Sequence, residues 1–593
     1  MKKKIALLLA LLMCLSLIVA CAPDGPGPAA DNQDEVADNQ DEVVDDQDEV
    51  AETPDVAPGR LGELGLDSNR RFVEPVEITV ATWDRRNDGG SDPTDNAFTE
   101  WITEQMLEQH NVVITEFVPI YRWEEVNELT VLLAEQEAPT ISYTFNFATV
   151  DEFGRQDSIF DLAPLLEDSE EIFPYLWDWL TFPLLYWNQD AETGHVWAIP
   201  ARGANLLRRY VTHIREDWLA ELGLPMPSTL EEFEAALFAF RDNAELLLGD
   251  DAAHMVPLFM TDDVGWLLGP LVESFIPNDI TDRDLYITEV GGDARRFFAP
   301  GAKEAIRVVN RWFNEGLIHP DFAISETEEM ENLIRAGFTG AVAGHSHNQA
   351  IRGGEDGWIG QLHQTQGEHA NLVVVNTFQN DAGYYRSIVN AGPPDRTMFV
   401  PKNPLGNETT LEQAVAALLY IDFLSRPETI QFLQIGFEGI NHIVHENGAI
   451  EMIPAEPGSR YVMNSPQNFD ITMPINGFRM ATRELTELSR PFAYTGVDPR
   501  IVIDAYALAA VGVRTRPNVN AGVVGAEEGM GDTIRERGNA AWARAIMASV
   551  DDFDAVYEAE IGAILSDFAA AAMAEREQLW EARWGDLTMV PTE

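Results

Sequence analysis

The sequence predicts an α/β fold, in which parallel-type sheets are flanked by helices and the chain is divided over two domains. Three observations support this prediction. After Pro75, strand-like and helix-like segments alternate, which favours parallel strands joined through helices. The chain has 593 residues, of which 45% are hydrophobic, which is ample material for a core divided over two domains. Its only cysteines, Cys14 and Cys21, lie near the amino terminus, so the body must fold without disulfides.

The first block of the predicted fold follows a strand–helix–strand–helix order. In Val76–Thr82 the apolar residues recur at every second position, as they do in a half-buried strand. A polar loop over Asp84–Asn96 comes next. The segments after it are a helix ending near Gln109, a strand over Val112–Val118, a helix over Arg122–Glu135 and a strand over Thr140–Phe145.

The second block continues with the same kinds of segment. Ser228 and Glu231 have the spacing of a capping box, in which each side chain satisfies a free backbone N–H at the start of a helix. The predicted elements are strands over Gly194–Pro200 and Leu206–Ile214, helices over Arg215–Leu222, 228–243, Lys303–Glu315 and Leu411–Leu424, and an Ala-rich helical tail over the last 40 residues.

The amino terminus has the pattern of a lipoprotein signal peptide. A basic start, Met1–Lys4, precedes an apolar run, Ile5–Ala20, that is shorter than the roughly 20 residues of a membrane-spanning helix. The run ends in Ile-Val-Ala-Cys21, which resembles a bacterial lipobox. We therefore expect residues 1–20 to be removed and Cys21 to carry a lipid, such as a palmitate-containing diacylglycerol; an ordinary signal peptide or a membrane anchor is the alternative.

An acidic segment separates this terminus from the body. Residues 30–50 repeat a seven-residue unit with a single valine in each copy, too few apolar positions for a coiled coil. Residues 31–52 carry acidic side chains and no basic one, so residues 21–74 are predicted to be a disordered tether. The net charge of the whole chain is −60, which excludes nucleic acid as a partner.

Several motifs in the body resemble those of the extracellular solute-binding proteins of bacterial ABC importers, in particular the large oligosaccharide-type lipoproteins. They lie in the same order as in that family and are mostly structural. The stretches that carry the resemblance are Gly194–Pro200, Ile214–Phe233, Phe313–Phe322, Tyr420–Glu428 and Phe437–Ile440.

The resemblance implies a two-lobed clamp of the type II periplasmic-binding-protein kind, with a hinge between the lobes. Residues 75–200 and a return segment, 396–440, would form the first lobe, and residues 201–395 and 441–593 the second. The implied function is that of a monomeric, non-enzymatic receptor without cofactors. Such a receptor is anchored through Cys21 on the outer face of the cytoplasmic membrane and delivers a small solute to ABC permease subunits; the resemblance implies an oligosaccharide as that solute.

Candidate ligand contacts come from the first strand and from the family's loop positions. Trp83 and Asp84 directly follow the first strand, where a cleft in an open α/β sheet is expected; otherwise Trp83 belongs to the core and Asp84 caps the next helix. Arg202 would donate to ligand, or else form a salt bridge between the lobes. The resemblance adds Trp266, His345, Asn348 and Asn441, each with a packing or surface role as the alternative.

Other functions remain open at this stage. The loop over Asp84–Asn96 is rich in aspartate but lacks the ligand spacing of a dedicated calcium loop, so we predict no metal site. Gly344–Asn348 is one residue short of the Gly-x-Ser-x-Gly nucleophile elbow, and chance carboxylate pairs do not exclude a lipid-anchored glycoside hydrolase. A sensor with the same fold is a third possibility.

Overall fold

The computed structural model describes most of the chain from residue 57 onwards. The signal peptide, Cys21 and residues 22–56 of the predicted tether lie outside the described residues. The described ranges are 57–84, 86, 90–180, 185, 189–190, 193–203, 210–292, 295–325, 327–351, 357–375, 387–391, 396–403, 408–462, 471–476, 480–517, 524–527 and 530–587.

The elements follow one another in three stretches of the chain. The first stretch contains α1 (Arg60–Glu63), β1 (Val76–Asp84), α2 (Ala97–His110), β2 (Val112–Tyr121), α3 (Glu125–Glu135), β3 (Ser142–Thr144), α4 (Phe147–Arg155), α5 (Ala163–Leu166), α6 (Pro174–Trp177), β4 (Ile199–Pro200) and β5 (Arg202–Gly203).

The second stretch begins after the undescribed residues 204–209. It contains β6 (Tyr210–Arg215), α7 (Glu216–Glu221), α8 (Leu230–Asp242), α9 (Ala244–Leu248), β7 (Val256–Phe259), α10 (Val264–Leu267), α11 (Gly269–Phe275), α12 (Asp282–Thr288), α13 (Ala302–Asn314), α14 (Thr327–Arg335), β8 (Thr339–Ser346), α15 (Trp358–Gln366), β9 (Leu372–Val375) and β10 (Ser387–Ala391).

The third stretch returns to the first sheet and then ends in helices. It contains β11 (Thr397–Phe399), α16 (Leu411–Ser425), α17 (Pro427–Ile435), β12 (His442–Val444), β13 (Ile450–Met452), β14 (Ile475–Asn476), α18 (Arg483–Ser489), α19 (Pro499–Ala509), β15 (Val513–Pro517), α20 (Gly531–Met547), α21 (Phe553–Ile564) and α22 (Ala570–Leu587).

Two large hydrophobic clusters divide the folded body into two lobes. The first lobe packs around the strands of the first stretch and the buried helix α16, with Trp83, Tyr143 and Tyr420 among its largest buried side chains. The second lobe packs around β6–β9 and the carboxyl-terminal helices, with Trp312 and Trp542 buried at its centre. This division into two α/β lobes agrees with the predicted fold class.

The sheets of the two lobes differ in strand direction. In the first lobe β1 pairs with β2 in parallel, and a parallel bridge between Val80 and Ile141 places β3 on the other side of β1. In the second lobe the order is β7-β8-β6-β9: β7 and β8 are parallel, whereas β6 is antiparallel to both of its neighbours. The prediction of parallel-type sheets is therefore only partly correct. Parallel pairs occur in both lobes, but β11 (Thr397–Phe399) is antiparallel to β3 and β4 in the first lobe, and β6 is antiparallel to β8 and β9 in the second.

The chain passes between the lobes in three places. The first passage follows β4 and β5, and the second ends at β11, which pairs antiparallel with both β3 and β4 in the first lobe. The third runs through α18, since Leu485 packs on the first cluster while Val497 belongs to the second. Adjacent to these passages β5 pairs in parallel with β14. Short strands and passages of this kind form the connection between the lobes.

Residues 57–74, which the sequence assigns to the tether, are part of the first lobe. Leu64, Leu66 and Phe72 are buried in its core, and Leu66 bridges to Phe72. The Arg70 guanidinium lies 3.4 Å from the carboxylate of Asp422, which is fully buried in α16. The prediction of disorder was wrong here because this part of the segment, unlike residues 31–52, contains apolar residues that can be buried.

The predicted boundary of the return segment at residue 440 is also too early. Ile450, Met452, Ile471 and Met480 all pack in the first cluster, so the chain stays in the first lobe well beyond Asn441. Nothing in the hydrophobic pattern of this region distinguishes one lobe's core from the other. The assignment depends on which cluster the side chains join.

Two helix starts differ from the sequence expectation. The helix predicted from Arg122 begins at Glu125, because residues 122–124 form a turn in which the Arg122 N–H donates to Asp84 O at 2.9 Å. The cap predicted at Ser228 belongs to Thr229, whose hydroxyl accepts from the Glu232 N–H at 3.2 Å. Glu232, one residue after the predicted Glu231, accepts from the N–H of Ser228 at 2.7 Å.

The described residues contain no helix that combines the length and the apolar character needed to cross a membrane.

Candidate functional site

The carboxyl ends of the first-lobe strands meet at one edge of the sheet. The β1–β2 register pairs Asp84 with Tyr121, so both strands end together, and the parallel neighbour β3 ends beside them. In open α/β sheets ligands bind outside the carboxyl ends of the strands. We call Trp83, Asp84, Arg122, Trp123 and Phe145 the first-lobe edge.

Trp83 is buried within this edge and is not exposed to solvent. Its side chain is 0% exposed, and its ring centroid lies 4.3 Å from that of Tyr143 and 4.9 Å from that of Phe145. The prediction that Trp83 contacts ligand is therefore not supported, and its alternative role in the core is what the structure shows. Tyr143, in the neighbouring strand β3, and Phe145, directly after it, pack on the Trp83 ring.

Asp84 keeps a place at the edge. It is half-buried, and its carboxylate accepts from the N–H of Arg86 at 2.7 Å. It does not cap the next helix: Asn96 does so, since its side chain accepts from the N–H groups of Phe98 and Thr99. Asp84 therefore remains a candidate contact.

Arg122 connects the aromatic residues of the edge. Its guanidinium carbon lies 4.3 Å from the ring centroid of Trp83, 4.1 Å from that of Phe145 and 4.9 Å from that of Trp123. The same guanidinium lies 3.5 Å from the carboxylate of Glu125. Burial raises the pKa of Glu125, and the positive charge of Arg122 acts in the opposite direction.

The second-lobe edge is formed in the same way by the ends of the parallel strands β7 and β8. Because β6 is antiparallel to β8, its first residue, Tyr210, lies opposite Ser346 at this edge. Trp266 lies in α10, in the connection after β7, and His347 and Asn348 follow β8. We call Tyr210, Trp266, His347 and Asn348 the second-lobe edge.

Trp266 is half-buried and lies between an aromatic ring and a cation. Its ring centroid is 4.2 Å from that of Tyr210, and the Arg295 guanidinium carbon lies 4.5 Å from it. Asp263 holds the Arg295 guanidinium in place: its carboxylate lies 3.5 Å from Arg295 and also accepts from the Asn539 amide at 2.8 Å. Trp266 thus lies at the edge and is partly open to solvent, so it remains a candidate contact.

Asn348 belongs to a polar network on the same edge. Its amide oxygen accepts from the Ser346 hydroxyl at 2.9 Å, and its amide nitrogen donates to the Tyr494 hydroxyl at 3.2 Å. The Tyr494 and Tyr506 hydroxyls are 3.4 Å apart, and the Arg490 guanidinium lies 4.2 Å from the Tyr506 ring centroid. Since Asn348 is half-buried, it remains a candidate contact.

His345 lies one layer below the edge, among aromatic residues. Its ring centroid is 5.0 Å from that of Trp358 and 5.8 Å from that of Phe259, and its Nε2 is enclosed without a hydrogen-bond partner among the described residues. Burial lowers the pKa of His345 to about 4. His213 and His347 lie nearby, and burial lowers the pKa of His213 to about 3 and that of His347 to about 4.

Two other predicted contacts have different outcomes. Asn441 is 0% exposed, and its side chain is occupied by the backbone: it accepts from the Phe437 N–H at 3.1 Å and donates to Tyr461 O at 2.6 Å. The prediction for Asn441 is therefore wrong, because both polar groups stabilise the turn after α17. Arg202 lies in β5 opposite Ile475, and its side chain lies outside the described part of the chain.

Sequence reasoning missed Trp123, Tyr210 and Tyr494. Trp123 follows a strand, which is a signal for a ligand contact, but the sequence assigns it to a helix that begins only at Glu125. Nothing in the sequence distinguishes Tyr210 from the other residues of its predicted strand. Tyr494 joins the edge only through tertiary structure, because 146 residues separate it from Asn348.

The calcium alternative receives no geometric support. Within the described ranges no group of three or more His, Cys, Asp or Glu side chains has the arrangement of a metal site. Asp92 accepts instead from the Thr94 N–H and hydroxyl, both at 2.8 Å, and these hydrogen bonds lower the pKa of Asp92. Asp88 and Gly89 lie outside the described residues.

The chain matches no family model. It is 28% identical to the curated protein Lipoprotein LipO of Bacillus subtilis (strain 168) over 178 residues, which are 29% of this chain and 34% of that protein. The match thus spans about a third of the relative's own length.

Solved structures resemble a much larger part of the chain. The alginate-binding protein AlgQ2 is 14% identical with a TM-score of 0.54, covering 86% of this chain and 98% of its own. An extracellular solute-binding protein from Bifidobacterium longum subsp. infantis is 14% identical with a TM-score of 0.54, covering 85% and 98%. The ABC-transporter substrate-binding protein FusA of Streptococcus pneumoniae is 13% identical with a TM-score of 0.55, covering 86% and 100%. The chain therefore has the two-lobed α/β fold of the extracellular solute-binding proteins of ABC transporters.

Proposed function

We propose that this chain is an extracellular receptor that captures a saccharide between its lobes and delivers it to an ABC-type permease. The observation that carries the proposal is the pair of sheet edges, each with an aromatic side chain held against an arginine: Trp123 with Arg122 and Trp266 with Arg295. Ligand pockets commonly combine apolar aromatic walls with a few placed polar groups. Asp84 and Asn348 supply such groups at the two edges.

The ligands of two proteins with this fold support the proposal that the ligand of this chain is a saccharide. AlgQ2 is described as alginate-binding, and FusA was crystallised with kestose. Closure of two lobes around a hinge would enclose a ligand of this kind, as in other hinged binding proteins.

The pattern around Cys21 and the relative's name support a location at the membrane. LipO is called a lipoprotein, which supports the expectation that Cys21 carries a lipid. We propose that the protein acts as a monomer, held by this lipid on the outer face of the cytoplasmic membrane, where permease subunits can receive the ligand.

A non-catalytic role fits the serine that suggested a hydrolase. The Ser346 hydroxyl donates to the amide oxygen of Asn348 at 2.9 Å, and neither ring nitrogen of His347 has a hydrogen-bond partner among the described residues. A nucleophilic serine requires a hydrogen-bonded base. The proteins of the same fold named above are binding or substrate-binding proteins.

The test is a binding titration of the full chain. The chain is purified in detergent, screened on an array of fructans, uronate oligomers, maltooligosaccharides and N-glycans, and titrated calorimetrically with the sugars that it retains. We expect saturable binding with a Kd of about 1 μM or below, which corresponds to about −8 kcal/mol or tighter. Chromatography of the sugar after the titration should recover it intact.

Two outcomes would contradict the proposal. Shortened sugars after the titration would mean that the protein is a glycoside hydrolase. An array without any retained glycan would remove the saccharide assignment while leaving the fold unaffected.

A further inference from the structure

Trp123 is the most exposed aromatic side chain in the part of the chain that the structure describes. It is 63% exposed, whereas Trp83, Trp312 and Trp542 are essentially buried. Leaving an indole in water forgoes a large hydrophobic contribution to folding. Because an indole offers a large apolar face and ligand pockets are commonly walled by aromatic side chains, an exposed tryptophan at a ligand-binding edge is a candidate contact.

Trp123 occupies the carboxyl edge of the first-lobe sheet. It lies two residues after the end of β2, beside the ends of β1 and β3, on the side of the sheet where open α/β folds bind ligands. Trp83, the other tryptophan of this edge, is 0% exposed and therefore offers no open ring face there.

The turn that carries Trp123 is fixed on both sides. Before it, the Tyr121 N–H donates to the carboxylate of Glu128 at 2.7 Å, and the Arg122 N–H donates to Asp84 O at 2.9 Å. After it, the Glu124 N–H donates to Tyr121 O at 3.0 Å. A side chain on such a turn is held in place before the ligand arrives, which lowers the entropic cost of binding.

Arg122 supports the Trp123 ring from below. Its guanidinium lies against Trp83 and Phe145 as well as Trp123, and it is paired with Glu125, so that its position is determined by the core. The buried Trp83 ring and the exposed Trp123 ring thus both lie against the same guanidinium, at 4.3 Å and 4.9 Å from its carbon. Cation–π contacts of this kind contribute about 0.5–2 kcal/mol each.

We infer that Trp123 is the first-lobe ligand platform, on which a sugar ring stacks through its apolar C–H face. The inference rests on the proposed receptor function and specifies where its ligand binds. On the opposite lobe, Trp266 and Tyr210 with Arg295 form an arrangement of the same chemistry. A saccharide held between two such walls presents an apolar ring face to each.

The test compares Trp123→Ala and Trp123→Phe with the wild-type full chain, using the array glycan that the wild type binds most tightly. We expect Trp123→Ala to raise the Kd by about tenfold or more, and Trp123→Phe to restore most of the affinity, because a phenyl ring retains a stacking face. Leu246→Ala is the matched control, since Leu246 is 60% exposed but lies in α9, away from both edges. Its Kd should equal that of the wild type.

A second measurement shows whether the ring itself is covered. Acrylamide quenching of tryptophan fluorescence should fall when the glycan binds to the wild type, and this protection should be smaller in Trp123→Phe. The melting temperature of Trp123→Ala should stay near the wild-type value, because an exposed side chain contributes little to folding.

The outcomes separate this inference from the proposed function. If the wild type binds a glycan and Trp123→Ala binds it equally well, the platform is wrong and the receptor function stands. If the wild type binds no glycan on the array, both the proposed saccharide function and the inferred role of Trp123 are wrong.

Discussion

Gly344 and Gly316 have the same backbone dihedral, a φ of 74°, but differ in what surrounds the missing side chain. A Cβ on Gly344, in β8, would overlap the backbone of Leu267, whereas a Cβ on Gly316 would meet nothing within 4 Å. Leu267 is the last residue of α10, the helix that carries Trp266. The absence of a side chain at Gly344 therefore allows β8 to support the connection that forms the second-lobe edge.

The two glycines make a matched pair of mutations. Gly316→Ala should lower the free energy of unfolding by about 1–2 kcal/mol, the cost of a left-handed conformation for an L-residue. Gly344→Ala adds a backbone displacement and should lower it by at least about 2 kcal/mol more. Urea unfolding followed by circular dichroism gives both values. Equal losses would mean that the contact with Leu267 does not constrain the protein.

Residue-scale contacts also explain why the two tryptophans of the first-lobe edge differ. Trp83 and Trp123 both lie at strand ends, so sequence position ranks Trp83 higher as a ligand contact. The structure reverses this order, because Tyr143 and Phe145 pack on Trp83, which is 0% exposed, whereas Trp123 is 63% exposed.

At the scale of elements, strands β6 and β8 bring three histidines together in the second lobe. Burial is the main cause that lowers the pKa of His213 to about 3 and the pKa values of His345 and His347 to about 4, from 6.5. Neighbouring positive charges add to this: those of His345 and His347 act on His213, and that of Arg490 acts on His347. The folded state therefore holds these imidazoles neutral under conditions in which the unfolded chain would protonate them.

This arrangement predicts loss of stability in acid. Above pH 6.5 such a histidine is neutral in both the folded and the unfolded state and does not change the free energy of unfolding. As the pH falls from 6.5 towards 4, only the unfolded state takes up the proton, so the free energy of unfolding falls by about 1.4 kcal/mol per pH unit for each such group. His110 in the first lobe acts in the same direction, with a pKa of about 4. Asp422 acts in the opposite direction, because burial raises its pKa to about 6 and the folded state takes up its proton first. Between pH 6 and 4 it offsets the loss of stability from about one histidine.

The measurement is the free energy of unfolding in urea at pH 7.5, 6.5, 5.5 and 4.5. His347→Gln should reduce the slope of stability against pH by about one histidine's share below pH 6.5. His254→Gln, which replaces an exposed histidine, controls for the loss of a surface imidazole. A slope that is the same in His347→Gln and the wild type would mean that His347 is not held neutral by the fold.

At the scale of the whole molecule, the segment over residues 57–74 fastens the start of the body to the first lobe. Leu64, Leu66 and Phe72 bury their side chains in its core. Arg70 donates to Ile172 O at 3.2 Å and lies 3.4 Å from the carboxylate of Asp422. Arg70 O also accepts from His110 Nδ1 at 2.8 Å. The chain that leads from Cys21 therefore enters the folded body on one lobe.

Two truncated chains test this attachment. A chain beginning at Pro75 should be less stable than one beginning at Ala57 by about 5 kcal/mol or more, since fully burying each of three large apolar side chains contributes about 1.5–3 kcal/mol. Loss of Arg70 would also leave the Asp422 carboxylate with one cation fewer nearby. Thermal and urea unfolding of the two chains provide the comparison. Equal stability would mean that residues 57–74 contribute nothing to the free energy of unfolding.

Most of the architecture could be predicted from local patterns. Alternating apolar residues located β1 and β2, and helical periodicity located α13 and α16. Such features depend on neighbours within a few residues, so a single sequence contains them. The two-lobed class was implied by the resemblance of motifs such as Ile214–Phe233 and Tyr420–Glu428 to those of solute-binding proteins. The lipobox at Cys21 is equally local and remains a prediction.

The site depended on contacts that no local pattern contains. The resemblance singled out Trp266 and Asn348, which lie at an edge. The burial of Trp83 and Asn441, in contrast, follows from groups that reach them across the fold: the Tyr143 ring beside Trp83, and the backbone of Phe437 and Tyr461 around Asn441. The antiparallel direction of β6 and the docking of residues 57–74 have the same origin. Periodicity by itself determined which segments become strands and helices, whereas only the tertiary structure decided which of their ends stay open to a ligand, because burial is a property of everything that packs around a side chain.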